Sequence, residues 1–238
     1  MELSTRAIVL RSIQHKDSSS IVTAYTRERG IMAFVLRSAG RRKATSRAVL
    51  QALSRVEISA QVREKRQLQI IKAMSPLPDG AMLMSSPVKA STALFLAEVL
   101  YRCLREEAAD AQLYDFLEES IAYYAREAMQ ADFHLIFLMH LSRYFGFYPS
   151  GRWSPENPHF DLEGGCFIAQ AEGRPRALSG DYARHFDQLI QARFGGETMT
   201  ISRTERRELL HALLDYYALH MEGMGRIKSL EVLIEVFA

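Results

Sequence analysis

The spacing of apolar residues changes abruptly around residues 75–80, and this change constrains the fold more than any other feature of the sequence. Before it, short apolar runs and apolar–polar alternation indicate β-strands. After it, apolar residues recur every three or four positions, as on one face of a helix. The segment itself contains two prolines and a glycine, which stop regular elements. The sequence therefore predicts a β domain followed by a helical domain.

Five short strands are predicted in the β domain, residues 1–75. They lie at about residues 7–10, 20–26, 31–36, 56–62 and 68–72. Five strands in so short a segment suit a small barrel, and the OB-fold is the expected candidate. A five-stranded sandwich or an SH3-like barrel would have nearly the same pattern.

The second domain is predicted to be all-α over residues 87–238, after a linker at 76–86. Four of its helices are preceded by a residue type that caps helix N-termini, at Ser86, Asp110, Ser202 and Ser229. Ser202 and Glu205 form a capping box. A helix from about residue 132 to 145 is apolar nearly all round and is expected to be buried.

An irregular insert at about residues 146–178 interrupts the helices. Residues 146–175 contain four prolines and five glycines, together with Trp153, Phe160 and Phe167. Those aromatic side chains need something to pack against, so a compact irregular or small β subregion is predicted instead of a linker. The fold class is thus α+β and multidomain.

Charge is distributed very unevenly along the chain. The first 72 residues hold 15 Lys and Arg against 5 Asp and Glu, whereas the remainder holds 15 against 23. The nearly neutral total of +2 conceals this difference. Such asymmetry indicates a basic module that meets a polyanion, attached to an acidic body with another task.

The positive charge peaks at residues 37–47, a segment with five cations and no acid. We predict that the cations of this segment bind the phosphates of a polyanion: Arg37, Arg41, Arg42, Lys43 and Arg47. Cations on such a loop neutralise phosphates and give affinity without sequence preference. A solvated loop that binds nothing is the simpler interpretation. Tyr25 and Phe34, the only aromatic residues before position 73, are expected in the barrel core and not under stacked bases.

Motifs of catalysis are missing from the sequence. It has no G-x-x-x-x-G-K-[ST], G-x-S-x-G or H-E-x-x-H pattern. His134 and His140 are six residues apart, which does not place them on one helix face. The glutamate pairs at 106–107 and 118–119 are expected to be solvated, although they leave a weak nuclease alternative. We therefore predict no enzyme, no catalytic residue and no cofactor.

Two cysteines, no window of 18 apolar residues and no signal-peptide layout at the start predict a cytoplasmic protein without a membrane span. A series of short motifs then suggests a family. They are Ala7-Ile8-Val9-Leu10, Asp17, Ile21-Val22-Thr23, Thr26-Arg27-Glu28, Gly30, Ala39-Gly40-Arg41-Arg42-Lys43, Leu50-Gln51 with Glu57, Leu141, Gly146-Phe147-Tyr148-Pro149 and Ile227-Lys228-Ser229-Leu230. In their order and spacing, the chain resembles the RecO family of bacterial recombination mediators over essentially its whole length.

This resemblance implies an N-terminal OB-fold and a helical C-terminal domain without enzymatic activity. It implies binding to single- and double-stranded DNA, annealing of complementary strands, and help in loading recombinase onto strands coated by single-strand-binding protein. The implied partners are a RecR-like ring protein and the acidic C-terminal tail of single-strand-binding protein, in a bacterial cytoplasm near the nucleoid. A protein-only adaptor, whose basic loop docks an acidic partner, is the alternative.

The chain departs from many relatives in one respect. Those relatives carry four cysteines that form a zinc site in the insert, whereas this insert has only Cys166. His159 and Asp161 are nearby but lack the spacing of a zinc site. We predict no bound metal, with the aromatic residues of the insert as its core.

A binding site for the acidic tail requires an apolar groove beside a cation. Two groups near helix starts are candidates: Arg203, Arg206 and Arg207, and then Ile227, Lys228 and Leu230. Ordinary surface residues are the simpler interpretation of each.

Overall fold

A computed structural model describes residues 1–16, 19–37, 49–63, 65–77, 83–104, 108–127 and 130–237. Its strands are β1 (Glu2–Lys16), β2 (Ser19–Thr26), β3 (Gly30–Arg37), β4 (Arg55–Gln61), β5 (Leu68–Pro76), β6 (His159–Asp161), β7 (Cys166–Ile168) and β8 (Ala177–Leu178). Its helices are α1 (Pro87–Cys103), α2 (Ala111–Arg126), α3 (Phe133–Leu141), α4 (Asp181–Gln191), α5 (Arg203–His220) and α6 (Ser229–Phe237).

The first five strands form a closed barrel in the order β1-β2-β3-β5-β4. The long strand β1 closes it, because β1 pairs antiparallel with both β2 and β4. Alternate residues point inward, so that Val22, Ala24 and Phe34 lie in one hydrophobic core with Val56 and Ile58. The predicted five-stranded OB-fold followed by a helical region with a small sheet is confirmed.

Tyr25 is buried, as expected, but in a different place from Phe34. The Tyr25 ring stacks on Tyr114 of α2, with ring centroids 6.2 Å apart. The Tyr25 hydroxyl also accepts a hydrogen bond from the backbone N–H of Asp110, with the N and O atoms 3.2 Å apart. Tyr25 therefore joins the outside of the barrel to the start of α2. The rings of Tyr25 and Phe34 are both buried, so neither can stack on a base.

Local capping signals place three of the helix starts. The Ser86 side chain accepts from the backbone of Lys89, and Asp110 caps α2 in the same manner. Ser202 and Glu205 form the predicted capping box at α5. Ser229 is the first residue of α6, and its hydroxyl donates to the Glu98 carboxylate at 2.7 Å.

The chain divides into two compact units. The first consists of Met1–Ala128 with Arg226–Val236, and the second of Met129–Gly225 with Phe237–Ala238. The first unit contains the barrel together with the helices α1 and α2. This division is based on compactness, whereas the predicted division separates strands from helices. The predicted domain limits therefore remain a prediction.

The second unit has an aromatic core. The three-stranded sheet β7-β6-β8 places the fully buried Phe160 against Phe186 of α4, with ring centroids 4.4 Å apart. Phe167 and Tyr216 contact the same ring edge-on. Helix α3 is buried on nearly every side, as its continuous apolar sequence predicted. None of the helices in the described ranges combines the length and apolarity needed to cross a membrane.

Candidate nucleic-acid interface

Arg37 is the only predicted DNA-binding residue that the structure describes. It is the last residue of β3, it is exposed, and it lies opposite Ser19 at the start of β2. Arg41, Arg42, Lys43 and Arg47 fall within residues 38–48, outside the described part of the chain. The structure therefore places the point where the basic segment leaves the barrel, and the roles of the five cations stay a prediction.

An aliphatic row crosses the outer face of the barrel beside Arg37. Ile13 pairs with Ile21, Ile21 with Val35, and Val35 with Ile70, so the row spans β1, β2, β3 and β5. Ile13 is 46% exposed and Ile70 is 38% exposed. Arg37 follows Val35 by two residues and therefore points to the same side of β3.

This row can provide apolar contacts but no aromatic stacking. The face formed by strands 2 and 3 is the one that OB-folds use to bind oligonucleotides. The row does not stand out in the linear sequence. The sequence does contain a signal for it, because the outward-facing Ile21 and Val35 alternate with the inward-facing Val22 and Phe34. The strand register is needed, however, to show that these residues form one continuous surface.

Two cations of the barrel form ion pairs with the acidic helix α2. Arg27 forms a bidentate ion pair with Asp115, with both N–O distances at 3.0 Å, and Arg6 lies 3.5 Å from the Glu118 carboxylate. The hydrogen bond from Arg27 lowers the pKa of the Asp115 carboxyl. Glu118, a member of one predicted glutamate pair, is thereby paired with a cation. These contacts reduce the number of barrel cations available to an anionic ligand.

The arginines at the start of α5 have different surroundings. Arg203 is exposed, and Arg207 is exposed with its guanidinium 3.4 Å from Glu208. Arg206 instead donates from Nε to the Asp132 carboxylate at 2.7 Å, and Asp132 is completely buried. Of these three arginines, Arg203 and Arg207 thus lie open to solvent, while Arg206 has a structural partner.

The second candidate group lies around the start of α6. Ile227 is 6% exposed, Leu230 is half-buried, and Lys228 is exposed. The backbone N–H groups of Lys228 and Ser229 donate to the Glu98 carboxylate. Burial raises the pKa of Glu98, but the hydrogen bond from the Ser229 hydroxyl, together with those from these two N–H groups, outweighs it and lowers the pKa overall. A ligand at this site would contact Lys228 and part of Leu230, because Ile227 is nearly inaccessible.

The two histidines of α3, His134 and His140, have structural surroundings. Burial, with a smaller contribution from the charge of Arg206, lowers the pKa of His134 to about 3. The His140 Nε2 atom lies 2.9 Å from the Ala192 carbonyl oxygen. In the described ranges, no three His, Cys, Asp or Glu side chains come together as metal ligands would.

The insert residues considered for zinc are also engaged elsewhere. Asp161 is 2% exposed and accepts a hydrogen bond from Arg174 at 2.9 Å, and His159 Nδ1 lies 2.7 Å from the Ser179 hydroxyl. Cys166 is half-buried and reduced. The absence of a metal remains a prediction.

Comparison with known proteins gave two family matches that together span almost the whole chain. Residues 1–78 match the family described as "Recombination protein O N terminal", and residues 84–231 match "Recombination protein O C terminal". The chain is 37% identical to the DNA repair protein RecO of Phocaeicola vulgatus and 36% identical to that of Bacteroides fragilis, over 98% of each chain. It is 32% identical to the DNA repair protein RecO of Porphyromonas gingivalis over the full length of both.

Proposed function

Because the chain belongs to the RecO family of DNA repair proteins, we propose that it is a non-enzymatic mediator of homologous recombination. In this role it binds single- and double-stranded DNA, anneals complementary strands, and helps load recombinase onto strands coated by single-strand-binding protein. Its place of action is the bacterial cytoplasm, at the nucleoid.

The observation that carries this proposal is the position of Arg37 on the barrel. Arg37 marks the start of the five-cation segment and points to the same side as the exposed aliphatic row. A phosphate backbone bound by the basic segment would therefore lie beside the strand 2 and 3 face that OB-folds use for oligonucleotides. The cations supply affinity, and the aliphatic residues supply contacts that do not select a sequence.

Annealing follows from the charge of such a surface. Two complementary strands repel each other through their phosphates, and cations held near both strands lower that repulsion. If all five cations of residues 37–47 contact duplex phosphates, the logarithm of affinity falls against the logarithm of salt concentration with a slope of about −4.5. A salt-independent affinity would contradict this mechanism.

Two protein partners complete the proposal, a RecR-like ring protein and the acidic tail of single-strand-binding protein. For the tail, Arg203 and Arg207 are the favoured contacts at α5, because both are exposed, whereas Arg206 is paired with Asp132. Lys228 and Leu230 form the second candidate group.

The annealing test uses the combined Arg41→Glu, Arg42→Glu and Lys43→Glu variant with dye-labelled complementary strands. We expect a large loss of annealing rate, since three phosphate contacts become repulsive. The matched control reverses three exposed cations of the second compact unit, with Arg193→Glu, Arg203→Glu and Arg207→Glu, and should anneal as the wild type does. Wild-type annealing by the first variant would contradict the proposed role of the loop and favour the protein-only adaptor.

The same control variant separates the two binding activities. It should lose affinity for a labelled acidic peptide that ends in apolar residues, and the loop variant should keep that affinity. Loss of peptide binding in the loop variant alone would place the tail site on the barrel instead of on α5.

A further inference from the structure

A basic cleft lies at the end of the barrel away from Arg37. It is lined by Met1, Arg29, Val62, Arg63, Lys65 and Arg66. The four cations in this set are all exposed, and no acidic side chain lines the cleft among the described residues, which exclude Glu64. We call this set the β4–β5 cleft, after the turn that supplies three of its cations.

The β4–β5 cleft is well separated from the predicted basic loop. Arg29 lies in the turn just before β3, and Arg37 ends that strand. The strand from Gly30 to Arg37 is about 23 Å long at the usual rise of 3.3 Å per residue. A cation at one end of β3 therefore cannot contact the same phosphate as a cation at the other end.

Gln69 fixes the backbone at Arg63 and Arg66. Its side chain is 5% exposed, accepts a hydrogen bond from the Arg63 N–H at 2.9 Å, and donates to the carbonyl oxygens of Arg63 and Arg66. Val62 adds a backbone hydrogen bond to Met1 at 2.9 Å. The backbone at Arg63 and Arg66 is thus held in place before any ligand arrives, which reduces the entropy lost on binding.

The described acids closest along the chain to the cleft residues have other partners. Glu2 forms an ion pair with Lys72 at 3.0 Å, and Glu28 accepts a hydrogen bond from the Thr5 hydroxyl. By contrast, Arg6 and Arg27 on the same barrel are paired with acids of α2. Within the described ranges, the cleft is a group of barrel cations that no carboxylate neutralises.

We propose that the β4–β5 cleft is a second phosphate-binding site for a nucleic-acid backbone. This rests on the proposed DNA-binding function and adds a location to it. Four exposed cations, with no acid among the described lining residues, suit the phosphates of a strand of any sequence. With one basic site at each end of β3, the barrel binds two separate stretches of backbone, as the annealing of two strands requires.

The test measures binding of a fluorescent oligo-dT strand and of a labelled duplex over a range of salt concentrations. The cleft variant combines Arg63→Gln, Lys65→Gln and Arg66→Gln. Loss of three phosphate contacts should make the slope of log affinity against log salt shallower by about 2 for the single strand and about 2.7 for the duplex. The control variant, with Arg176→Gln, Arg184→Gln and Arg193→Gln, removes the same charge from exposed side chains of the second compact unit and should keep the wild-type slope.

A second variant tests geometry at constant charge. Gln69→Leu keeps every cation but removes the three hydrogen bonds that hold the turn. We expect weaker DNA binding, with the unfolding midpoint of each variant measured to verify that the barrel is folded. Adding the Arg41→Gln, Arg42→Gln and Lys43→Gln changes to the cleft variant should reduce the slope further, because sites this far apart act additively.

The outcomes distinguish this inference from the proposed function. A wild-type protein that binds no DNA overturns both. If the wild type binds DNA and the cleft variant has the wild-type salt slope, only the cleft inference is wrong. If that variant keeps its DNA slope and loses affinity for polyglutamate, the cleft is a protein-docking site and the inference is wrong.

Discussion

Arginines have opposite roles in the barrel and in the second compact unit. In the second unit, three arginines each bind a buried aspartate: Arg152 with Asp187, Arg174 with Asp161, and Arg206 with Asp132. On the barrel, Arg29, Arg37, Arg63 and Arg66 are exposed and have no carboxylate partner among the described residues. The same residue type stabilises the fold in one region and is available to a ligand in the other.

This difference shows why net charge alone does not locate a binding site. The second unit contains many arginines, but its buried carboxylates bind several of them. The barrel has few acids, and Arg6 and Arg27 form ion pairs with acids of α2. The excess positive charge of the first 72 residues is therefore concentrated on fewer side chains than the count suggests.

The largest expected effect is at the Arg206–Asp132 pair. Arg206→Ala leaves the Asp132 carboxylate buried with only the Met199 N–H as a remaining described donor. Removing one partner of a buried ion pair costs about 3–5 kcal/mol. We expect a loss of this size in the free energy of unfolding measured with urea.

Arg207→Ala is the matched control, because Arg207 is exposed and adjacent in sequence. Its effect should stay within about 0.5 kcal/mol. Equal effects of the two substitutions would show that the contrast between buried and exposed arginines is wrong.

The next largest effect is a dependence of stability on pH, caused by His134, whose pKa is influenced by the nearby Arg206. The pKa of His134 is about 3 in the folded protein and near 6.5 when unfolded. Between these values the unfolded chain binds more protons, so stability decreases as the pH falls, by about 1.4 kcal/mol per pH unit. At about pH 4.5 the loss attributable to His134 is roughly 3 kcal/mol.

Urea unfolding of the wild type and of His134→Gln, measured at several pH values from 7 to 4, tests this contribution. The variant should have the shallower decrease, since its side chain does not titrate. Parallel curves for the two proteins would mean that His134 is protonated in the folded state.

The smallest effect is expected on the barrel. The Arg63→Gln, Lys65→Gln and Arg66→Gln variant changes only exposed side chains, so each substitution should alter the free energy of unfolding by no more than about 0.5 kcal/mol. Equilibrium urea unfolding at neutral pH measures this. A loss comparable with that of Arg206→Ala would assign these cations a structural role and remove the contrast between the two regions.

Local features of the fold could be predicted from the sequence. The caps at Ser86, Asp110 and Ser202 depend on neighbouring residues only, and strand alternation reflects a local period of two. The burial of Phe34 followed from the apolar run around it.

Features that depend on tertiary contacts could not be predicted. Arg206 and Asp132 are 74 residues apart, and nothing near Arg206 distinguishes it from its exposed neighbours. The position of Tyr25 between the barrel and α2 has the same origin. The β4–β5 cleft depends on the hydrogen bonds of Gln69 and on the turn that carries Arg29, neither of which follows from the pattern of charges.

The Glu98 carboxylate has a consequence for the order in which the chain folds. It accepts three hydrogen bonds from Lys228 and Ser229, which attaches the start of α6 to α1 within the first compact unit. Residues 129–225 are thus an insertion in that unit, and the ribosome synthesises them before the segment that completes it. The barrel strands can pair early, but the unit that contains them gains its last helix only after the inserted unit has been made. This late contact between distant segments is expected to slow the completion of the first unit.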